Sequence, residues 1–235
     1  MPGSVELRSV SKSYGAREAL RVAALSSVDL SVAPGEFVAI LGRSGSGKST
    51  LLNMIAGLDR PDRGQIVVDG QPLADLSEEG LAGWRGRFVG VVFQFFQLVP
   101  TLTVEENILL AMDLVGAIPQ RERRARAAAL LDQVGIIEQA RKLPGMLSGG
   151  QQQRAAIARA MANAPAMLVA DEPTGNLDSA AAAKILGLLE TLARDGTTVF
   201  MVTHDETVAD RAHRLVRLAD GHVVENRARG QGAAQ

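Results

Sequence analysis

The chain has 235 residues, 46% of them hydrophobic and 22% charged, with 25 basic against 26 acidic side chains. That much apolar content supports a buried core in one large domain or two small ones, and a net charge of -1 excludes a polybasic nucleic-acid or lipid-surface binder. The lack of cysteine excludes a disulfide scaffold, a thiolate zinc site and a cysteine nucleophile, and suits a reducing compartment.

The opening segment, MPGSVELRSVSKSYG, is polar and lacks the apolar centre of a secretory signal. No later run approaches the roughly 18 uninterrupted apolar residues of a membrane span, so the expectation is a soluble cytosolic chain. In chain order, β-branched runs and turn punctuation predict strands at 28–32 and 37–41, a helix at 48–56, then strands at 65–68 and 88–93. Helices follow at 121–134 and 151–163, a strand at 166–170, and a helix at 179–193 that opens after Asp178 and closes before Asp195-Gly196. A strand at 197–202, a helix at 205–212 and a strand at 214–218 complete the set. The runs FVAIL, AMLVA and TTVFMV are apolar on both faces, as in an α/β sheet covered by helices on both sides. The stretch 95–163 reads as almost wholly helical with breaks at Pro100, Pro119 and Pro144. It is expected to be a helical subdomain inserted into a single domain whose core is 1–94 and 164–226. The polar, Gly- and Ala-rich residues 227–235 read as a frayed tail.

The strongest local pattern is GRSGSGKS, residues 42–49, lying directly after FVAIL and before the helix KSTLLNMIAG. In that strand-loop-helix setting the backbone curls through Gly42, Arg43, Ser44, Gly45, Ser46 and Gly47. Its N–H groups then face phosphate oxygens, aided by the positive end of the helix. Lys48 is expected to bridge the outer phosphates, Ser49 to ligate Mg²⁺ and Thr50 to donate to a phosphate oxygen. A metal-bound triphosphate needs a second acid, and Asp171 stands at the end of the buried run MLVAD, able to hold Mg²⁺ through water. Glu172, one residue on, suits a base that polarises water attacking the γ-phosphate in line.

A third pattern is Leu147-Ser148-Gly149-Gly150-Gln151, opening the helix QQQRAAIARAMAN. It forms a second anion-binding helix terminus, with Ser148 able to donate. Two such termini are redundant for one nucleotide unless the second faces a nucleotide held by another molecule, which predicts a two-fold head-to-tail dimer. His204 follows an apolar strand at its carboxyl edge, where doubly wound sheets place ligands. His213 and His222 read as structural, Trp84 and the seven methionines as packing, and the run RERRAR at 121–126 as a solvated helix face with packed arginine stems.

Taken together, these residues resemble the nucleotide-binding subunit of ATP-binding cassette transporters, over about residues 4–224 and with five motifs in the family's order. The resemblance implies a P-loop NTPase core with a mostly parallel sheet covered by helices, an antiparallel β-subdomain and an inserted helical signature subdomain. It implies that Tyr14 stacks on adenine, that residues 42–49 are the Walker A loop and that Gln94 senses Mg²⁺ and the γ-phosphate. It further makes residues 147–151 the signature motif, Asp171 the Walker B aspartate, Glu172 the catalytic carboxylate, Asp178 part of the D-loop and His204 the switch histidine. The runs VVFQFFQLVPTLTVEENI and ADEPTGNLDS are similar to the subgroup serving lipoprotein release, macrolide export and the cell-division permease complex. The implied protein is an ATPase on the cytoplasmic face of the inner membrane, dimerising on ATP and Mg²⁺ to drive an integral membrane permease, with no nucleic-acid partner. Two alternatives stand beside it: a nucleotide-switched regulatory subunit without transport, and a soluble cassette ATPase, although the chain has neither the second cassette nor the coiled coil usual in the latter. A P-loop kinase or GTPase has no use for LSGGQ.

Overall fold

The computed structural model describes residues 3–15 and 21–228. Two sheets and seven α-helices make up the described chain. The strands are β1 (Val5–Tyr14), β2 (Val22–Val32), β3 (Phe37–Leu41), β4 (Arg63–Val68), β5 (Gln71–Pro72), β6 (Val89–Val92), β7 (Met167–Asp171), β8 (Thr198–Thr203), β9 (Arg214–Ala219) and β10 (His222–Ala228). The helices are α1 (Lys48–Ile55), α2 (Glu78–Phe88), α3 (Val104–Val115), α4 (Gln120–Gln133), α5 (Gly149–Ala160), α6 (Ser179–Arg194) and α7 (Glu206–Ala209).

The larger sheet runs β10-β9-β3-β8-β7-β6 and is parallel except for β10, which folds back on β9. Its central strands are apolar on both faces because both faces are covered. On β3, Val38 and Ile40 join a core with α1 and the smaller sheet, whereas Phe37, Ala39 and Leu41 join a second core with α6. The smaller sheet, β2-β1-β4-β5, is antiparallel throughout. Helices α3, α4 and α5 lie between β6 and β7 in the chain and share a third core of Val104, Ile108, Met112, Leu131, Ala155 and Ala158.

Several sequence expectations shift. The segment after β6 is not helical at first, since residues 93–103 have no regular structure before Thr103 caps α3 with a capping box. The predicted strand 88–93 starts one residue late because Phe88 ends α2. The helix expected over 205–212 contracts to α7, capped by Asp205. Residues 227 and 228 are not tail but β10, where Arg227 pairs with Leu215 and Ala228 with Arg214; residues 229–235 lie outside the described residues. In the arginine run Arg121 and Arg124 are exposed, as expected of a solvated helix face, whereas Arg123 and Arg126 are half-buried. Arg123 donates to the Ile118 carbonyl and pairs with Asp113, and Arg126 donates to the Met161 and Ala162 carbonyls after α5, satisfying a helix terminus.

Candidate nucleotide site

Four adjacent parallel strands deliver the site. The loop after β3, the residue after β8, the end of β7 and the segment after β6 open into one cleft of about 530 Å³ lined by Lys48, Ser49, Thr50, Gln94, Asp171, Glu172 and His204, among others. This is the carboxyl edge of the sheet, where parallel topology brings loops of unrelated sequence together.

The phosphate loop is fixed by contacts at its turn. Gly47 adopts φ 102°, and a Cβ there would lie 2.3 Å from the Ala24 carbonyl oxygen on β2, so both conformation and space require glycine. Ser46 is buried beneath the loop, its hydroxyl without a partner among the described residues. Lys48 is buried, and its ammonium donates to the Gly42 and Arg43 carbonyls at 2.8 Å each, which leaves one of its three N–H donors over.

Across the cleft the Ser49 hydroxyl donates to Asp171 Oδ2 at 3.2 Å. Burial pushes the Asp171 carboxyl above its ordinary value; the Ser49 hydrogen bond lowers it, the neighbouring Glu172 charge raises it and the Lys48 charge lowers it. A desolvated carboxylate beside a hydroxyl oxygen, with Gln94 lining the same cleft, is a hard-oxygen set that fits Mg²⁺. Among the described residues no cluster of three or more His, Asp or Glu side chains is placed to hold a metal by itself, so the remaining ligands of such an ion have to come from phosphate and water.

Glu172 takes a left-handed backbone, φ 45°, unusual for glutamate, and its N–H donates to the Val202 carbonyl at 3.0 Å. Its Oε1 lies 2.8 Å from His204 Nδ1. Because an ionised carboxylate only accepts, Nδ1 carries the proton in that state.

The remaining sequence-predicted residues lie elsewhere. Leu147 is buried, while Ser148, Gly149, Gly150 and Asp178 line a separate cleft of about 320 Å³ that shares no residue with the first. Ser148 caps α5 by accepting from the Gln151 N–H, and Gln151 Oε1 accepts from the Ser148 N–H, so the Ser148 hydroxyl proton stays free to donate. Asp178 caps α6 by accepting from the Ala181 N–H. Tyr14 does not line the nucleotide cleft, but its hydroxyl meets the Thr50 side chain and donates to Asp59 Oδ2 at 2.9 Å, with Lys12 Nζ 5.3 Å above its ring. Lys12 in turn pairs with Asp59 at 2.7 Å. Sequence reading missed this anchor; Lys12 two residues before Tyr14 on one strand was a detectable signal, whereas nothing local marks Asp59. His213 accepts from the Phe37 N–H at 3.2 Å, and Trp84 is buried against Phe88.

A glycine-rich loop at the positive end of a helix, a Ser–Asp oxygen pair and a Glu–His pair on one edge of a parallel sheet define a P-loop nucleotide hydrolase. Residues 25–175 match the family described as ABC transporter, and the chain belongs to that family. The chain is 46% identical over 96% of its length to the pyoverdine export ATP-binding/permease protein PvdT of Pseudomonas syringae pv. tomato. It is 42% identical over its whole length to the macrolide export ATP-binding/permease protein MacB of Hyphomonas neptunium. It spans 34% and 36% of the length of these two relatives. Among solved structures, the dimeric ATP-binding cassette MJ0796 in a post-hydrolysis state bound to ADP and Pi is 44% identical, with a TM-score of 0.88 over 96% of this chain and 99% of that one. The structure of cbiO1 from Clostridium perfringens, part of the ABC transporter complex cbiONQ, has a TM-score of 0.85 at 28% identity over 96% of this chain and 88% of that one. The fold is thus that of the family's ATPase cassette. Among the described residues no helix is long and apolar enough to cross a membrane.

Proposed function

We propose that the chain binds and hydrolyses ATP, that two copies close head to tail on the nucleotide, and that this movement drives an export permease at the cytoplasmic face of a membrane. The observation that carries the reading is the separation of the two anion-seeking helix termini. Lys48 opens α1 in one cleft and Ser148 caps α5 in another, so one copy cannot enclose a triphosphate with both. The MJ0796 cassette, at 44% identity, is dimeric with ADP and Pi, which supports the same assembly here.

In the proposed cycle Lys48 exchanges its loop carbonyls for phosphate oxygens, a stronger charge-assisted contact. Ser49 and Asp171, with Gln94 beside them, would hold Mg²⁺, which when bound supplies charge neutralisation at the phosphates. The Tyr14 ring, fixed by Asp59 and Lys12 outside the lining of the cleft, would meet adenine on the face opposite Lys12. Glu172 accepts a proton from the attacking water, and His204 keeps that carboxylate oriented. The partner copy's signature turn, built from the residues equivalent to Ser148, Gly149 and Gly150, closes over the γ-phosphate. Loss of that phosphate removes the charge shared by both termini, and the pair reopens.

The export permeases named among the relatives and the subgroup resemblance of ADEPTGNLDS support a partner of the macrolide-export or lipoprotein-release type. Phosphate release from ATP and Mg²⁺ by the purified chain, with Lys48→Ala as the control, tests the reading. Turnover by the parent and none by Lys48→Ala is expected, and equal rates for both overturn it.

A further inference from the structure

The segment between β6 and α3 carries a cost that the nucleotide site by itself does not explain. Phe96 and Gln97 adopt φ of 57° and 49°, two successive non-glycine residues in the left-handed region. Side chains disfavour that region, and single residues visit it far more readily than consecutive ones. The Gln97 N–H also donates to the Phe95 carbonyl at 2.5 Å, a tight three-residue turn centred on Phe96. Such a backbone persists only when its surroundings hold it.

One side chain holds the strained pair, and another holds the chain just after it. Downstream, the buried Asn107 accepts from the Val99 N–H and donates to the Val99, Leu102 and Thr103 carbonyls. At the strained pair itself, Arg159 in the last turn of α5 donates from Nη2 to the Phe96 carbonyl at 3.0 Å and from Nη1 to the Gln97 carbonyl. Among the described residues no carboxylate pairs with Arg159, and burial lowers its pKa. An unpaired, largely desolvated guanidinium is expensive, and here its donors go to two backbone carbonyls. Those carbonyls lie two and three residues after Gln94. The same helix begins at the turn of Ser148, Gly149 and Gly150, so α5 joins the second cleft at its N-terminus to the Gln94 segment at its C-terminus.

We infer that Arg159 is a positioning residue: it holds Phe96 and Gln97 in the left-handed conformation, and so sets where Gln94 stands in the nucleotide cleft and ties that placement to α5. The inference rests on the proposed ATPase reading for its effect on turnover, but its structural half does not.

The test compares the full-length chain with Arg159→Met, Arg159→Lys and Arg159→Met combined with Phe96→Gly and Gln97→Gly. Without nucleotide, amide hydrogen exchange at residues 95–99 is expected to speed up in Arg159→Met, to change less in Arg159→Lys, and to leave β3, β7 and β8 unchanged. In the ATPase assay Arg159→Met is expected to lose about 10- to 100-fold in kcat while its affinity for a fluorescent ATP analogue stays within about threefold. Glycine adopts the left-handed region without a side-chain penalty, so the two glycines should recover part of that kcat. Should Arg159→Met fail to fold, Arg159→Lys and the two glycines in the otherwise unaltered chain give the same comparison of exchange at residues 95–99. Unchanged exchange at 95–99 in both Arg159 variants overturns the inference, as does a kcat loss that the glycines leave untouched. An inactive parent chain would instead overturn the ATPase reading, and the exchange comparison would still decide whether Arg159 holds the turn.

Discussion

His204 Nδ1 and Glu172 Oε1 lie 2.8 Å apart, 32 residues distant in sequence, because β7 and β8 are parallel neighbours ending side by side. The bond needs an acceptor at residue 172 but not a base there. Glu172→Gln keeps an oxygen acceptor for His204 and removes the basic carboxylate. It is expected to bind ATP with near-parent affinity and to lose about 10²- to 10⁴-fold in kcat, as single-turnover phosphate release would show.

Lys48 is the buried cation of the phosphate loop. Lys48→Ala leaves the loop carbonyls without their donor and the phosphates without their countercharge. Fluorescence titration should show at least about a tenfold loss in ATP affinity, the weight of one charge-assisted contact. Adenosine, which has no phosphate, should be affected little.

Gly150 sits where α5 approaches α6, and a Cβ there would lie 3.1 Å from the Ala181 Cβ. Gly150→Val crowds the second cleft and not the first. The variant should therefore bind nucleotide as a monomer with parent-like affinity yet fail to hydrolyse it at the parent rate.

Asp59 links Lys12 and Tyr14 to the end of the α1 region. Burial raises its carboxyl, but hydrogen bonds from Lys12, Tyr14 and the Arg60 N–H outweigh burial and bring it below its ordinary value. A carboxyl depressed in the folded state contributes stability above its unfolded pKa, near 3.9 for aspartate, and loses it as pH falls through the lower folded value. Because the pair is partly solvated, Asp59→Asn is expected to lower Tm by about 1–4 °C at neutral pH. That difference should shrink as pH is lowered from roughly 5 to 3. A constant difference across that range would show that the charge is not what matters.

The nucleotide-cleft residues were legible where the chemistry is local: GRSGSGKS follows its strand directly, and Asp171 and His204 end apolar runs that could only be buried strands. Elements whose stability comes from packing were not. β1 carries Glu6, Arg8 and Lys12 and breaks its alternation at Ser9, where φ is 50° and the pairing register shifts. α2 contains Gly80, Gly83 and Gly86, which argue against a helix, yet the Ser77 cap and the burial of Leu81 and Trp84 hold it. Arg159 and Asn107 were invisible for another reason. Their partners are main-chain carbonyls and N–H groups of a loop whose conformation no local pattern announces.

The most direct test of the account is the mass of Glu172→Gln by size-exclusion chromatography with light scattering, in ATP and Mg²⁺, beside the same variant carrying Ser148→Arg. A dimer in ATP, a monomer in ADP and a monomer whenever Ser148 is replaced would follow if two copies share each nucleotide between the Lys48 and Ser148 clefts. A monomer in ATP, or a dimer indifferent to nucleotide and to Ser148→Arg, would contradict it.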